Sequence, residues 1–111
     1  MKIEEMKVID VIKMDLFGKY VKKVLAEVEK TRIDTINSAP IDAMFKRNVV
    51  DRLKERGVWN PEDLTLLYIE VLEKRLKGFS ATERNAILVV YDDAFHRTCI
   101  ELKKQEENEA Q

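Results

Sequence analysis

The stretch Arg56-Gly57-Val58-Trp59-Asn60-Pro61-Glu62-Asp63-Leu64, at the middle of the 111-residue chain, constrains the fold most. It both stops a helix and starts one. Glycine enters the left-handed conformation without a Cβ clash, so Gly57 suits the position just past the helical pattern Asp51-Arg52-Leu53-Lys54-Glu55-Arg56. Leu53 and Val58 then stand where the apolar contact of a Schellman ending belongs. Asn60 is a good N-cap and Pro61 suits the first helical position. Glu62 and Asp63 favour the positive end of the helix dipole. Trp59 and Leu64 occupy the staple positions that set the angle of the incoming chain. The chain is therefore expected to be two helical pairs joined by a corner, with Trp59 locking the third helix onto the second.

Apolar spacing extends this reading in both directions. From residue 3 to about 35, Met6, Ile9, Ile12, Leu16, Phe17, Tyr20, Val24, Leu25 and Val28 recur at intervals that describe one helical face. A single helix of that length would run roughly 45–50 Å. Gly18 in its middle would cost about 1 kcal/mol relative to alanine. Either a break near Asp15 to Gly18 or one long curved helix is expected. Val8-Ile9-Asp10-Val11-Ile12 has strand propensity too, but no turn offers it a hairpin partner.

Thr35-Ile36-Asn37-Ser38-Ala39-Pro40 reads as a connector, with Ser38 able to cap and Pro40 in the first turn of the second helix. That helix is expected over 41–56, with Ile41, Met44, Phe45, Val49 and Leu53 facing inward. The third is expected over 61–77, supported by Glu70–Lys74 and Glu73–Lys77 pairs and ended by Gly78. Ser80-Ala81-Thr82-Glu83 matches a capping box, with Glu83 reaching back, and opens a fourth helix that runs to about Lys104 or beyond. Short connections favour antiparallel neighbours. The expected fold is all-α: a small four-helix bundle, mostly antiparallel, with long first and last helices and two shorter middle ones. Residues 1–104 form the one domain, and the polar residues 105–111 are expected to fray.

Composition narrows the classes of function. Charged residues make up 37% and apolar ones 45%, which fits a helical globular protein and neither a disordered nor an all-β one. The net charge of −1 supplies no global field for nucleic acid or membrane. Its distribution is uneven: 13 basic against 10 acidic residues over Met1–Arg56, then 7 against 11 over Gly57–Gln111. Cys99 is alone, which excludes an internal disulfide and a multi-cysteine zinc site and fits a reducing compartment. No uncharged apolar stretch approaches the roughly 20 residues of a membrane span. The opening Met1-Lys2-Ile3-Glu4-Glu5 turns acidic too soon for a signal peptide. A cytoplasmic location and no membrane partner are expected.

Two segments, Leu64–Leu72 and Asn85–Tyr91, are apolar nearly all round, more than the single stripe a surface helix needs. Either the first helix wraps and covers the surplus, or the surplus is a partner site. The second reading makes the chain a non-enzymatic interaction module. It would associate as a homodimer, or with a helical protein partner, through its third and fourth helices. Leu66, Ile69, Leu88 and Val89 are the candidate association surface.

Catalytic, cofactor-binding and metal-binding residues are not expected. His96 with Asp92 and Asp93 has helical metal-ligand spacing but no second such motif to complete a site. Cys99 shares a face with His96, yet a nucleophilic pair needs an orienting third group. Cysteine on the apolar side of a helix is more often a small core residue. The glycines, at 18, 57 and 78, are too scattered for a phosphate loop. The alternative function is a small nucleic-acid-associated regulator. Lys74 to Asn85 has a helix-turn-helix outline, and Lys46, Arg47, Arg52, Lys54, Arg56, Arg84 and Asn85 are its candidate contacts. Asp92 and Asp93, further along the same helix, would face phosphates badly. No stretch is specific enough to place the chain in a known family.

Overall fold

A turn at Lys13–Met14 divides the first predicted helix in two. The structure, a computed structural model, describes residues 2–38, 49–75 and 78–109, with side chains over 2–31, 50–75 and 78–109. A 3-10 turn at Ile3–Glu5 precedes α1 (Val8–Ile12), α2 (Asp15–Ser38), α3 (Val49–Glu55), α4 (Pro61–Leu72) and α5 (Ala81–Glu109). The described residues contain helices and no strand, which bears out the all-α class. They hold five helices where four are expected, because the break separates α1 from α2.

The break falls just ahead of Asp15. Its position is set by capping: the Met14 carbonyl accepts the Phe17 amide at 3.1 Å, so α2 begins with Gly18 already inside it. The residues with strand propensity form α1 instead, which the Asp10 carboxylate opens by accepting the Lys7 amide at 3.1 Å. Val11 and Ile12 are buried there. The helix α2 runs through Ser38, past the predicted start of a connector at Thr35. Residues 39–48, with Pro40 and the first half of the predicted second helix, lie outside the described residues.

The central corner forms as its residues dictate. Gly57 has φ +74°. The Val58 amide donates to the Leu53 carbonyl at 3.1 Å and the Gly57 amide to Lys54 at 3.0 Å, the two bonds of a Schellman ending. Leu53 is fully buried, and Val58 packs against the core. The Asn60 side chain accepts the Asp63 amide at 2.9 Å and caps α4. Trp59 is half-buried against the core beside fully buried Leu64.

The end of α4 departs from expectation. It stops at Leu72, well short of Lys77, because Lys74 rather than Gly78 takes the left-handed conformation there, with φ 59°. The Arg75 amide reaches the Glu70 carbonyl at 2.9 Å and the Lys74 amide reaches Val71 at 3.0 Å, a second Schellman ending. Lys74 is thus out of helical register with Glu70, and Glu73 faces Arg75 at 3.7 Å instead. Lys77 lies outside the described residues. At the other end of the chain, α5 continues beyond Lys104 through Glu109, into the stretch expected to fray. Glu106 there accepts the Ile3 amide at 3.3 Å, tying the two ends together.

The core joins Phe17, Val21 and Val24 of α2, Leu53 of α3, Leu64, Leu67 and Tyr68 of α4, and Ile87, Val90 and Ala94 of α5. The longest interface is between α2 and α5, and α4 packs against both. Tyr68 sits edge-on to Phe17 at 5.7 Å between centroids and tilted against Tyr91 at 4.9 Å. The molecule measures 56 × 32 × 18 Å with a radius of gyration of 16.2 Å. A compact domain of this length would have a radius of about 13 Å. Its thin dimension is under two helix diameters, each about 10–12 Å.

Candidate functional site

Helix α5 presents one row of side chains to solvent. Asn85, Val89, Asp92, His96, Ile100, Lys103 and Glu107 are all exposed and succeed one another at helical spacing. Ile87, Val90, Ala94 and Thr98 on the opposite face are buried. The buried Thr98 hydroxyl is satisfied by donating to the Ala94 carbonyl at 2.7 Å. Five large apolar side chains are exposed among the described residues: Val8, Leu66, Leu72, Val89 and Ile100. Four of them stand on α4 and α5. Leu66 is 61% and Val89 62% exposed.

The predicted association surface is thereby divided. Leu66 and Val89 face solvent, whereas Ile69 is half-buried against the core and Leu88 is half-buried in a groove. Much of the α4 surplus has an internal explanation. The helix touches α1, α2 and α5 on different sides, and so it buries Leu64, Leu67 and Tyr68.

The groove lies between the end of α4 and the start of α5. It has a volume of about 350 Å³ and is lined by Val71, Lys74, Ala81, Arg84, Asn85 and Leu88. Its floor is aliphatic and its rim carries two cations, with no carboxylate among these six. Residues 73–75 and 78–80 lie outside the helices between α4 and α5. A helix-turn-helix joins its helices by three or four residues, so the predicted outline is not formed.

The other basic candidates are mostly committed elsewhere. Lys54 pairs with Glu29 of α2. Arg56 donates to Glu83 at 2.6 Å and lies 4.3 Å over the Phe79 ring. Half of the predicted capping box forms, since the Ser80 hydroxyl accepts the Glu83 amide at 3.1 Å. The Glu83 carboxylate goes to Arg56 instead of back to Ser80, because that partner carries a full charge in a half-buried site. Arg52 is exposed, and Lys46 and Arg47 lie outside the described residues. The structure therefore brings Lys74, Arg84 and Asn85 together and leaves the α3 cations apart from them.

In the Asp92–Cys99 region the charges of Asp93 and Arg97 pair within the fold. Asp93 accepts Arg97 at 2.7 Å, and Arg97 reaches across to Glu27 of α2 at 2.6 Å. That hydrogen bond holds the Glu27 carboxyl below the usual carboxylate range. Burial pushes the Cys99 thiol up, opposite to the shift that activates a nucleophile. No group of three or more His, Cys, Asp or Glu could hold a metal ion among the described residues. Sequence reading passed over the Glu27–Arg97–Asp93 bridge. Its only local signal is the i,i+4 spacing of Asp93 and Arg97, and Glu27 is 70 residues away.

No helix among the described residues is long and apolar enough to cross a membrane. No protein-family model, curated protein or solved structure matches the chain.

Proposed function

We propose that the protein is a non-enzymatic helical interaction module that self-associates through α4 and α5. It acts as one domain whose four main helices, α2 to α5, pack mostly antiparallel. The observation that carries this reading is the concentration of exposed apolar side chains on two helices: Leu66, Leu72, Val89 and Ile100. Such residues are common singly; here Val89 and Ile100 share one side of α5, eleven residues apart, and Leu66 and Leu72 add two more on α4. Substituting Val89→Glu and, separately, Leu66→Glu should lower the mass in solution to the 13.0 kDa of one chain while helicity by circular dichroism is unchanged. A wild-type protein that already sediments as a monomer at tens of micromolar refutes the homomeric reading.

The second reading, a nucleic-acid-associated regulator, draws on the cationic rim of the groove, with Lys74, Arg84 and Asn85 adjacent. Its contacts would be phosphate-dominated and steeply salt-dependent. It is the weaker reading because Lys54 and Arg56 already neutralise carboxylates of this chain. Absence of binding to mixed duplex at low salt and micromolar protein eliminates it.

A further inference from the structure

The outward row of α5 is symmetric in position. His96 is at its centre, Asp92 and Ile100 lie four residues to either side, Val89 and Lys103 seven, and Asn85 and Glu107 eleven. Two copies of such a helix can lie antiparallel about a two-fold axis through His96 with every exposed row position matched by one on the partner. The ends of the helix then decide whether this is favourable. At its start stands the groove whose rim is Lys74 and Arg84. At its end stand Glu106, Glu107 and Glu109, with Glu107 and Glu109 exposed. At 1.5 Å per residue, Arg84 lies about 18 Å and Glu107 about 17 Å from His96, in opposite directions. A two-fold axis brings opposite charges together at both ends at once.

We infer that the groove between α4 and α5 is filled by the acidic end of α5 from a second copy, in an antiparallel, isologous dimer centred on His96. This rests on the self-association proposed above and names its partner and register. Three features of the chain carry it. The groove and its complement are on the same helix, so one two-fold axis satisfies both. On the helical circumference Ala81, Arg84 and Leu88 lie to the same side of the row as Glu106 and Glu109, and a two-fold axis perpendicular to the helices keeps that side facing itself. A parallel arrangement would instead set Glu107 against Glu107 and bring no acidic helix end to the groove, which like-charge repulsion disfavours. The aliphatic floor of Val71, Ala81 and Leu88 receives the methylene stems of the glutamates while their carboxylates meet Lys74 and Arg84.

The test is a charge swap on exposed residues. Lys74→Glu with Arg84→Glu gives a chain whose groove and helix end are both negative. Glu107→Lys with Glu109→Lys gives one in which both are positive. Each variant alone should dimerise at least about tenfold more weakly than the wild type. Mixed in equal amounts, they should form a heterodimer of twice the 13.0 kDa chain mass, read by sedimentation. A wild-type monomer overturns this register together with the self-association reading. A wild type that dimerises, is broken by Val89→Glu, and is unmoved by either charge variant overturns the antiparallel register alone. That last result is also expected if the groove serves a small anion.

Discussion

Tyr68→Phe should stabilise the protein, against the usual outcome of core substitutions. Tyr68 is 0% exposed and its ring is enclosed by Phe17 and Tyr91. Its hydroxyl has no hydrogen-bond partner among the described residues. A buried polar group left unpaired costs about 1–3 kcal/mol. Removing one oxygen forfeits a few dispersion contacts, each on the order of 0.1–0.2 kcal/mol. The net gain should be about 1 kcal/mol, which in a domain of this size raises Tm by about 4 °C or more. A second signature comes from pH. Burial, with the Asp92 charge and Tyr91 adding to it, pushes the Tyr68 phenol well above its ordinary range. The folded chain therefore keeps a proton that the unfolded chain releases above about pH 10. Stability from a raised pKa is complete below the unfolded value and is lost as pH rises beyond it. The slope of that loss is at most about 1.4 kcal/mol per pH unit for one group. Urea denaturation of both proteins at neutral pH and above pH 10 measures both effects, and the alkaline loss should shrink in the variant. A Tyr68→Phe protein less stable by about 1 kcal/mol shows that the hydroxyl is paired and refutes the reasoning.

Three other substitutions and titrations probe the fold independently. Gly18→Ala should stabilise by about 0.5–1 kcal/mol, since the residue is inside α2 and an added Cβ meets nothing within 4 Å; a loss of stability in urea would show that the start of α2 is not regular helix. Trp59→Ala should cost about 2–3 kcal/mol, less than a fully buried tryptophan because the side chain is only partly buried; unchanged stability would make the corner a binding surface instead of a staple. Glu27 should titrate below an ordinary glutamate in a carbon-detected NMR titration, mainly through its hydrogen bond from Arg97. A lowered pKa adds stability above the unfolded value and loses it as pH falls through the folded one, so Arg97→Met should remove both the shift and that acid-side loss.

Local chemistry made much of the fold legible. At residues 53–64 the stop, the cap and the first helical position all lie within one short window, and each is decided by a single residue type: Gly57, Asn60 and Pro61. The hydrogen bonds there match the sequence reading one by one. Helix lengths were less legible, because they depend on competition between nearby options. Gly78 carries the stronger intrinsic preference for the left-handed conformation, yet Lys74 takes it and ends α4 early. Gly78 is itself left-handed, at φ 84°, so two positions share the turn that sequence reading assigned to one. The site was less legible still. Helical periodicity shows that α4 has apolar residues all round, but not which neighbours cover them. Ile69 proves half-buried because α4 packs on more than one side, and this is a tertiary fact. Arg56 was read as a surface cation, whereas Phe79 and Glu83, the latter 27 positions on, claim it.

The early end of α4 and the groove have one cause. Had α4 run on to Lys77 as the Glu70–Lys74 spacing suggests, Lys74 would sit one turn above Glu70 and be neutralised by it. The Schellman ending instead puts Lys74 in the left-handed region, where a non-glycine residue costs about 1–2 kcal/mol. What that conformation achieves is visible in its surroundings. It takes Lys74 out of register with Glu70 and places it beside Arg84 and Asn85, on the rim of a cleft floored by Val71, Ala81 and Leu88. Backbone outliers of this kind persist where the surrounding structure holds them, and they cluster at binding sites. Glycine at position 74 would remove the strain and also the cation. A chain under selection for stability alone would favour that exchange, since Gly57 and Gly78 fill the other two left-handed positions among the described residues. Lysine in the third is accounted for if its charge meets something outside the fold, and the acidic end of a second α5 is the complementary surface that this chain itself supplies.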